Sequence, residues 1–469
     1  MYRRIFSMDD QLRFARLSGD FNPIHVDAVA ARRLMFGGPI VHGMHVLLWA
    51  LACWSEGRAG AHLREVRAVF KRPVRVDEAA SLSMVDRSDG RVQIGVLSDG
   101  AKAATIQIDW DEGGRPEVGG CATGAPERRD PQDLSAADLT PGLGGELTLF
   151  WPPAEAAGLL PGLNERLPQA WLSAIATASR LVGVACPGKN SIFGELILTE
   201  ALAPETPAGD AAMAYRLTKY DARFRYCDIA LSAPGMTGRI GAFLRPEALK
   251  QPGLDALRGL VGAQSFAGQR ALIVGGSRGL GEVSAKLLAA GGGEVILSYS
   301  RGAEDAERVV QEIVGAGGRA SAIRIDVTEP PAEALRDLAA THLYYFATPF
   351  AFAGAREVFS AKLFQRFASV YLDGFLALFD AVRTPALRGV FYPSSVAVEQ
   401  APPDMGEYAA AKAAGEAMCR HLANANPRIA FVVPRLPRLD TDQTQTVSAV
   451  ENADPAPLLA DLIKAFALP

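Results

Sequence analysis

Residues 41–56, VHGMHVLLWALACWSE, constrain the fold more than any other stretch of the chain. The run has helical length and is apolar nearly all round, so the helix it predicts has no face to offer water and must be enclosed by other elements. The following residues supply the enclosure. REVRAVFKRPVRV, ASLSMVD, GRVQIGVL and AKAATIQIDW alternate apolar with polar positions and are separated by turn-forming residues. That is the pattern of an antiparallel sheet with one dry face. Residues 2–111 therefore read as one buried helix wrapped by an antiparallel sheet.

The pattern then changes twice. Residues 112–145 are rich in Gly, Pro, Asp and Ala, as in a linker or long crossover. From 146 to 248 the first order recurs: a helix-like run, AWLSAIATASRLVGVA, precedes SIFGELILTEAL, AAMAYRLTKYDARFRYCDIAL and GRIGAFLRP. This predicts a second copy of the helix-in-sheet unit. Beyond a connector at 251–266, the strand-like runs RALIVGG, EVILSYS, ASAIRIDV, HLYYFAT, GVFYPSS and RIAFVVPRL alternate with helical segments. Such alternation predicts a parallel, doubly wound sheet with helices on both faces. The expected fold class is thus multi-domain, α+β followed by α/β, with domains at 1–125, 145–248 and 267–469. A chain of 469 residues is long enough for two or three cores.

Composition removes several classes of function. Charged residues are 21% of the chain and the formal net charge is -4, and no basic stripe interleaved with aromatics marks a nucleic-acid surface. Asp9 and Asp10 interrupt the basic start before any apolar run, unlike a secretory leader. No apolar stretch is long enough to insert into a membrane. Cys53, Cys121, Cys186, Cys227 and Cys419 are scattered without zinc-ligand spacing. They read as free thiols of a cytoplasmic protein, and no metal site is expected.

Two segments carry chemistry. The first is FARLSGDFNPIHVDAVAARRLMFGGPIVHGM. Asp-x-Asn-Pro alone is a common turn former, but Gly19, Asp20, Asn22, Pro23 and His25, followed by Pro39 to Met44, make a longer motif. Over roughly residues 5–110 it resembles the MaoC-like (R)-specific enoyl-thioester hydratases, whose signature is G-D-x-N-P-x-H. The resemblance implies a hotdog fold, here a double hotdog, with Asp20 and His25 as the catalytic pair and Asn22 orienting them. Adding or removing water beside a thioester needs both a base and an acid, which a carboxylate and an imidazole can share. The enolate-like charge on the thioester oxygen suits backbone N–H groups near Gly43, where the buried helix begins. His42 and His45 read as satisfied structural histidines and His62 as a surface residue. Between residues 63 and 341 there is no histidine, so the second repeat is expected to be non-catalytic.

The second segment is Val274-Gly275-Gly276-Ser277-Arg278-Gly279-Leu280-Gly281, which follows a strand and opens a helix. Glycines there let a backbone approach a pyrophosphate at a helix N-terminus. Further on, Tyr408 and Lys412 share a helix face at i,i+4 spacing, and Ser395 lies 13 positions before Tyr408. Residues 267–436 resemble the short-chain dehydrogenase/reductases, especially the 3-oxoacyl reductases with their Rossmann-type sheet. The resemblance implies that Tyr408 protonates the substrate carbonyl, that Lys412 lowers its pKa and holds the nicotinamide ribose, and that Ser395 binds the substrate oxygen. It also places Asp326 and Val327 against the adenine. Ser300 and Arg301 end the second strand where NAD-preferring members carry an acid. With Arg278 they suit a 2′-phosphate, so NADPH is the expected cofactor. The chain departs from the family at Val274, at Tyr345-Phe346-Ala347-Thr348, and at Tyr371, which stands where the family keeps a relay asparagine. The stretch after Pro434 is short and holds one last helix, so the usual substrate lid is expected to be abbreviated and the last sheet strand missing.

The two chemistries share a 3-hydroxyacyl thioester. The expectation is a bifunctional NADPH-dependent 3-oxoacyl-thioester reductase and (R)-3-hydroxyacyl-thioester dehydratase serving synthesis. Its substrate would be an acyl-CoA or acyl-carrier-protein thioester, and a homodimer is the assembly to test. Alternatives are a hydratase whose reductase-like half binds nucleotide or scaffolds, an oxidative (R)-3-hydroxyacyl-CoA route, and a non-catalytic docking partner of a carrier protein.

Overall fold

The computed structural model describes residues 2–58, 60–87, 89–113, 121–201, 211–356, 358–448 and 450–467. The chain divides into two compact units, residues 1–247 with 446–450 and residues 248–445 with 451–469. Among the described residues, no helix is long and apolar enough to cross a membrane.

The first unit is built on a ten-stranded sheet. Its strands are β1 (Tyr2–Ile5), β2 (Ala61–Phe70), β3 (Ala79–Arg87), β4 (Arg91–Ser98), β5 (Ala101–Glu112), β6 (Gly144–Thr148), β7 (Ser191–Glu200), β8 (Ala212–Asp221), β9 (Tyr226–Ala233) and β10 (Met236–Leu244). The order is β1-β3-β4-β5-β2-β7-β10-β9-β8-β6. The second half of that order mirrors the first, which is the signature of two copies of one unit joined edge to edge. The join is the antiparallel pair β2·β7, with Val66 opposite Leu198 and Ala68 opposite Leu196. Two helices lie on the dry face. Gly43–Trp54 is buried from Met44 to Trp54, and Gln169–Arg180 continues into a π-helical turn, Leu181–Ala185, whose residues are all buried. The two helices pack against each other within one continuous core.

Two elements of this unit depart from the sequence expectation. The polar start is a strand, β1, which pairs with β3. Strand β6 extends the opposite edge by pairing with β8. Of the expected linker, residues 114–120 lie outside the described residues. Most of 121–143 is irregular chain, tied down by bridges from Ala122 to Phe150 and from Asp133 to Gly188.

The second unit holds β11 (Arg270–Val274), β12 (Glu294–Tyr299), β13 (Arg319–Arg324), β14 (His342–Tyr345), β15 (Gly389–Phe391) and β17 (Ala430–Val432), with a short parallel pair, β16 (Ser394–Ser395) and β18 (Arg435–Leu436). The six-stranded sheet has the order β13-β12-β11-β14-β15-β17 and is parallel throughout. Reversal of direction at β11/β14 makes a switch point, and open α/β sheets bind ligands beyond the strand ends at such points. One face packs on the helices Gly279–Ala290, Ala303–Gly315 and Pro455–Ala467, the other on Phe375–Val382 and Cys419. Among the described residues no further strand follows β17 in this sheet, and the last helix covers the first face instead.

Candidate active sites

The first site forms where two helices meet. Helix Met8–Ser18 starts with a capping box between Ser7 and Asp10 and stops at Gly19, whose φ is 81°. Asn22 caps the next helix, Pro23–Val26, by accepting from the Ile24 N–H at 3.2 Å. This tight exit and re-entry turns Asp20 and Asn22 inward, where both are buried. Ile24 and Pro23 then carry the chain to His25, whose Nδ1 lies 2.8 Å from the Ile40 carbonyl. Only an N–H satisfies a carbonyl, so Nδ1 carries the proton and Nε2 presents its lone pair. One oxygen of Asp20 and one ring nitrogen each of His25 and His42 lie within 4.8 Å of one another.

The supports of this pair come from distant sequence. Ser179 donates to Asp20 Oδ2 at 2.7 Å, and the Asn22 N–H donates to Oδ1 at 3.2 Å. The Asn22 amide donates to the carbonyls of Gly183, at 2.9 Å, and of Lys189. Gly183 follows Ser179 by four residues, inside the π turn. A Cβ there would lie 2.2 Å from Asp20 Oδ1, so no other residue leaves room for the carboxylate. Burial pushes Asp20 up from the usual carboxylate range, opposed by His25, Ser179 and the Asn22 N–H. Burial also pulls His25 below its ordinary value, opposed by Asp20. Both groups are thereby pressed towards their neutral forms.

His42 lies between two acceptors, with Nε2 facing the Asp20 main-chain carbonyl and Nδ1 facing Gln11 Oε1, each at 3.0 Å, and burial keeps the ring neutral, so its one N–H serves one of them. Its ring stacks on His25 with centroids 3.9 Å apart. Two expectations need correcting. His45 is buried between Phe6 and Phe14, and among the described residues neither ring nitrogen has a hydrogen-bond partner. His62 is not a surface residue: it is buried, with its nitrogens 3.0 Å from Asp111 and Glu200. Gly43 opens the buried helix directly after His42, so its N–H is one of those a helix leaves without an internal partner.

The second site lies in the other unit. The turn after β11 is pinned by Ser298, whose hydroxyl accepts from the Gly275 N–H at 3.1 Å and whose carbonyl accepts from the Gly276 N–H at 3.0 Å. Gly281 sits on the Gly275 carbonyl so closely that a Cβ would come within 2.2 Å of it. The turn is therefore packed by backbone alone ahead of helix Gly279–Ala290, as a pyrophosphate cradle requires. Ser277 is buried and Leu280 half-buried, while Ser300 and Arg301 are exposed at the end of β12. Arg278 forms an ion pair with Asp442. Asp326 is held ionised by Thr328, whose N–H and hydroxyl donate at 3.0 and 2.7 Å, with Val327 beside it.

Ser395 closes β16, and helix Gly406–Ala425 carries Tyr408 and Lys412 on one face. Burial raises the Tyr408 pKa, and a hydrogen bond with Ser395 lowers it. Lys412 donates to the Pro393 carbonyl at 2.8 Å, and burial pulls its pKa down to about 7. Tyr371 is wholly buried in the π turn Ser369–Gly374, and its hydroxyl bonds to Thr348. Ser179, Gly183 and Asp442 were not singled out from sequence. The available signal was small and polar residues, Ser173, Thr177, Ser179 and Gly183, inside a run that is otherwise apolar apart from Arg180.

Residues 2–102 match the family model for the MaoC like domain, and residues 269–451 match that for the short chain dehydrogenase. The chain accordingly joins an N-terminal MaoC-like dehydratase domain to a C-terminal short-chain dehydrogenase domain. Similar curated proteins include the hydroxynaphthalene reductase-like protein Arp2 of Metarhizium guizhouense, 41% identical over 68 residues, 14% of this chain and 26% of that protein. A probable dehydratase, NIT22 of Ajellomyces capsulatus, is 32% identical over 74 residues, 15% of this chain and 20% of that protein. These matches thus span about a quarter or less of the relatives' length. Among solved structures, a dehydrogenase/reductase from Sinorhizobium meliloti is 26% identical, covering 45% of this chain and 91% of that one with a TM-score of 0.38. A short chain dehydrogenase from Burkholderia cenocepacia in complex with NADP is also 26% identical, covering 44% and 92% with a TM-score of 0.40.

Proposed function

We propose that this chain reduces 3-oxoacyl thioesters with NADPH to (R)-3-hydroxyacyl thioesters and dehydrates these to trans-2-enoyl thioesters. The observation that carries the reading is that one chain holds both residue sets, Asp20–His25 and Ser395–Tyr408–Lys412, and the product of the second is the substrate of the first. Tethering raises the effective concentration of that intermediate. The working domains are 1–125, 145–248 and 267–469, and the setting is cytoplasmic synthesis on coenzyme A or an acyl carrier protein.

In dehydration, the bare Nε2 of His25 takes the proton from the carbon beside the thioester. Asp20 gives a proton to the departing hydroxyl, which leaves as water. The neutral forms favoured by burial suit this division of roles. Asn22 orients Asp20, and the N–H of Gly43 faces the charge that gathers on the thioester oxygen. In reduction, a bound nicotinamide dinucleotide supplies the hydride. Tyr408 gives its proton to the carbonyl oxygen, Ser395 holds that oxygen, and Lys412 favours loss of the Tyr408 proton. The backbone of Gly275, Ser277, Gly279, Leu280 and Gly281 would carry the pyrophosphate, Asp326 and Val327 the adenine, and Ser300, Arg301 and Arg278 the 2′-phosphate. Arg278 must exchange its bond to Asp442 to take that part.

Incubation of the protein with a short 3-oxoacyl thioester and NADPH, with the acyl products read by mass spectrometry, tests the reading. Both 3-hydroxyacyl and enoyl products are expected. The Arg278–Asp442 pair and Tyr371 favour a second reading, a dehydratase whose other domain only binds nucleotide. That reading holds if nothing is reduced while added (R)-3-hydroxyacyl thioester still loses water. Faster turnover in the oxidative direction with NAD would instead support the β-oxidation route.

A further inference from the structure

We propose that Tyr371 is a positioning residue of the second site, its ring face serving as the seat of the Lys412 ammonium. The proposal rests on reading this domain as a reductase. Lys412 Nζ lies 3.9 Å from the centroid of the Tyr371 ring, 5.1 Å from that of Tyr392 and 6.0 Å from that of Tyr408. Among the described residues a single carbonyl, that of Pro393, accepts its hydrogen bond, at 2.8 Å.

A buried ammonium needs negative charge or its equivalent close by. Glu416, one helical turn beyond Lys412, is the nearest candidate by sequence, but its carboxylate is taken by Arg435, at 2.7 and 2.6 Å, and by the Ser394 hydroxyl, at 2.6 Å. Cys419, the other titratable group acting on Lys412 from its own helix, has its thiol pushed up to about 12 by burial and so stays neutral. The remaining groups that face the amine are the three tyrosine rings, whose faces carry the negative part of a quadrupole. Tyr371 is the nearest of them by more than an ångström.

The ring is also held more firmly than a contact alone requires. Its hydroxyl bonds to Thr348 and it stacks on Phe367 at 5.9 Å and 1°, while the main-chain carbonyl of Tyr371 accepts from the Tyr392 hydroxyl at 2.9 Å. It meets Tyr408 edge-on at 5.9 Å. One aromatic side chain therefore touches both members of the Tyr408–Lys412 pair and fixes their spacing. A small polar side chain at 371 could not offer a face to the amine.

The test compares Tyr371→Phe, which keeps the ring, with Tyr371→Leu, which removes it. Tyr371→Met fills the site without a ring face should the leucine variant not fold. The ring favours the charged amine, so its loss lowers the pH at which Lys412 loses its proton. Reduction by Tyr371→Leu is expected to fall about tenfold in kcat with KM for the thioester little changed. Its alkaline limb should move down by about one pH unit, while Tyr371→Phe stays within about twofold of the parent. Nitrogen NMR titration of the lysine ζ positions, with Lys412→Gln locating the Lys412 signal, reads the same shift without turnover. If that signal moves in the ringless variants but not in Tyr371→Phe, and no variant or parent reduces substrate, the seat stands and the reductase reading falls. An unchanged Lys412 titration in a folded ringless variant, or a phenylalanine variant as impaired as the leucine one, overturns the proposal.

Discussion

Asp20 and His25 stand five positions apart across a turn, whereas Tyr408 and Lys412 stand four apart on one helix, and the two pairs are held by opposite means. The first is held by hydrogen bonds: Ser179 and the Asn22 N–H on the carboxylate, the Ile40 carbonyl on the imidazole. The second is held largely by aromatic rings, with a hydrogen bond from the amine to the Pro393 carbonyl and one between Tyr408 and Ser395. Burial acts on both. It presses Asp20 and His25 towards neutrality, and it pulls Lys412 to about 7. On the proposed reading, a pair that exchanges protons with its substrate can rest on neutral forms. A pair in which one member must stay charged needs a partner for that charge, and here rings provide it.

Separate damage to the two sites is the largest effect that can break this comparison. His25→Ala should lower dehydration by about 10²–10⁴-fold and leave reduction intact, and Tyr408→Phe should do the reverse. Loss of both activities in either variant, followed with (R)-3-hydroxyacyl and 3-oxoacyl thioesters in turn, would contradict two independent sites. A smaller effect should come from the histidine-free repeat. Gly183→Ala places a Cβ 2.2 Å from Asp20 Oδ1. Overpacking of that kind costs about 1–3 kcal/mol, so dehydration should fall at least tenfold and the first unit should melt earlier. An unaltered rate would mean that the carboxylate does not sit against the π turn during catalysis.

The smallest effect sharpens the hydrogen-bond side of the comparison. Ser179 favours the ionised form of Asp20, so Ser179→Ala raises the Asp20 pKa further. If Asp20 acts as the acid in dehydration, activity is lost as pH rises through that pKa. The alkaline limb of the kcat/KM profile should then move to higher pH by less than about one unit, as expected for one hydrogen bond of about 1 kcal/mol. If the acid limb moved to higher pH instead and the alkaline limb stayed put, Asp20 would be reassigned as the base.

Much of this molecule was legible in sequence because its signals are local. The helix at 43–54 is apolar all round, the strands β2 to β5 alternate, and both chemical pairs fall within a few residues. The doubly wound order also follows from six apolar runs separated by helices. What escaped has no local signature. β1 is a mostly exposed edge strand with no alternation to read, and β6 begins with two glycines. Ser179 and Gly183 matter because of Asp20, about 160 positions away, and Asp442 because of Arg278. The π turns at 181–185 and 369–374 arise from packing rather than from any residue that demands them. His62 was misjudged for the same reason, since Asp111 and Glu200 reach it from two other strands.

The most direct test of the central claim is a time course with the Asp20→Asn variant, a 3-oxoacyl thioester and NADPH, followed by chiral analysis of the products. Two sites working in sequence predict that the (R)-3-hydroxyacyl thioester accumulates and no enoyl thioester forms. Enoyl product from this variant, or no reduction at all, would contradict the account.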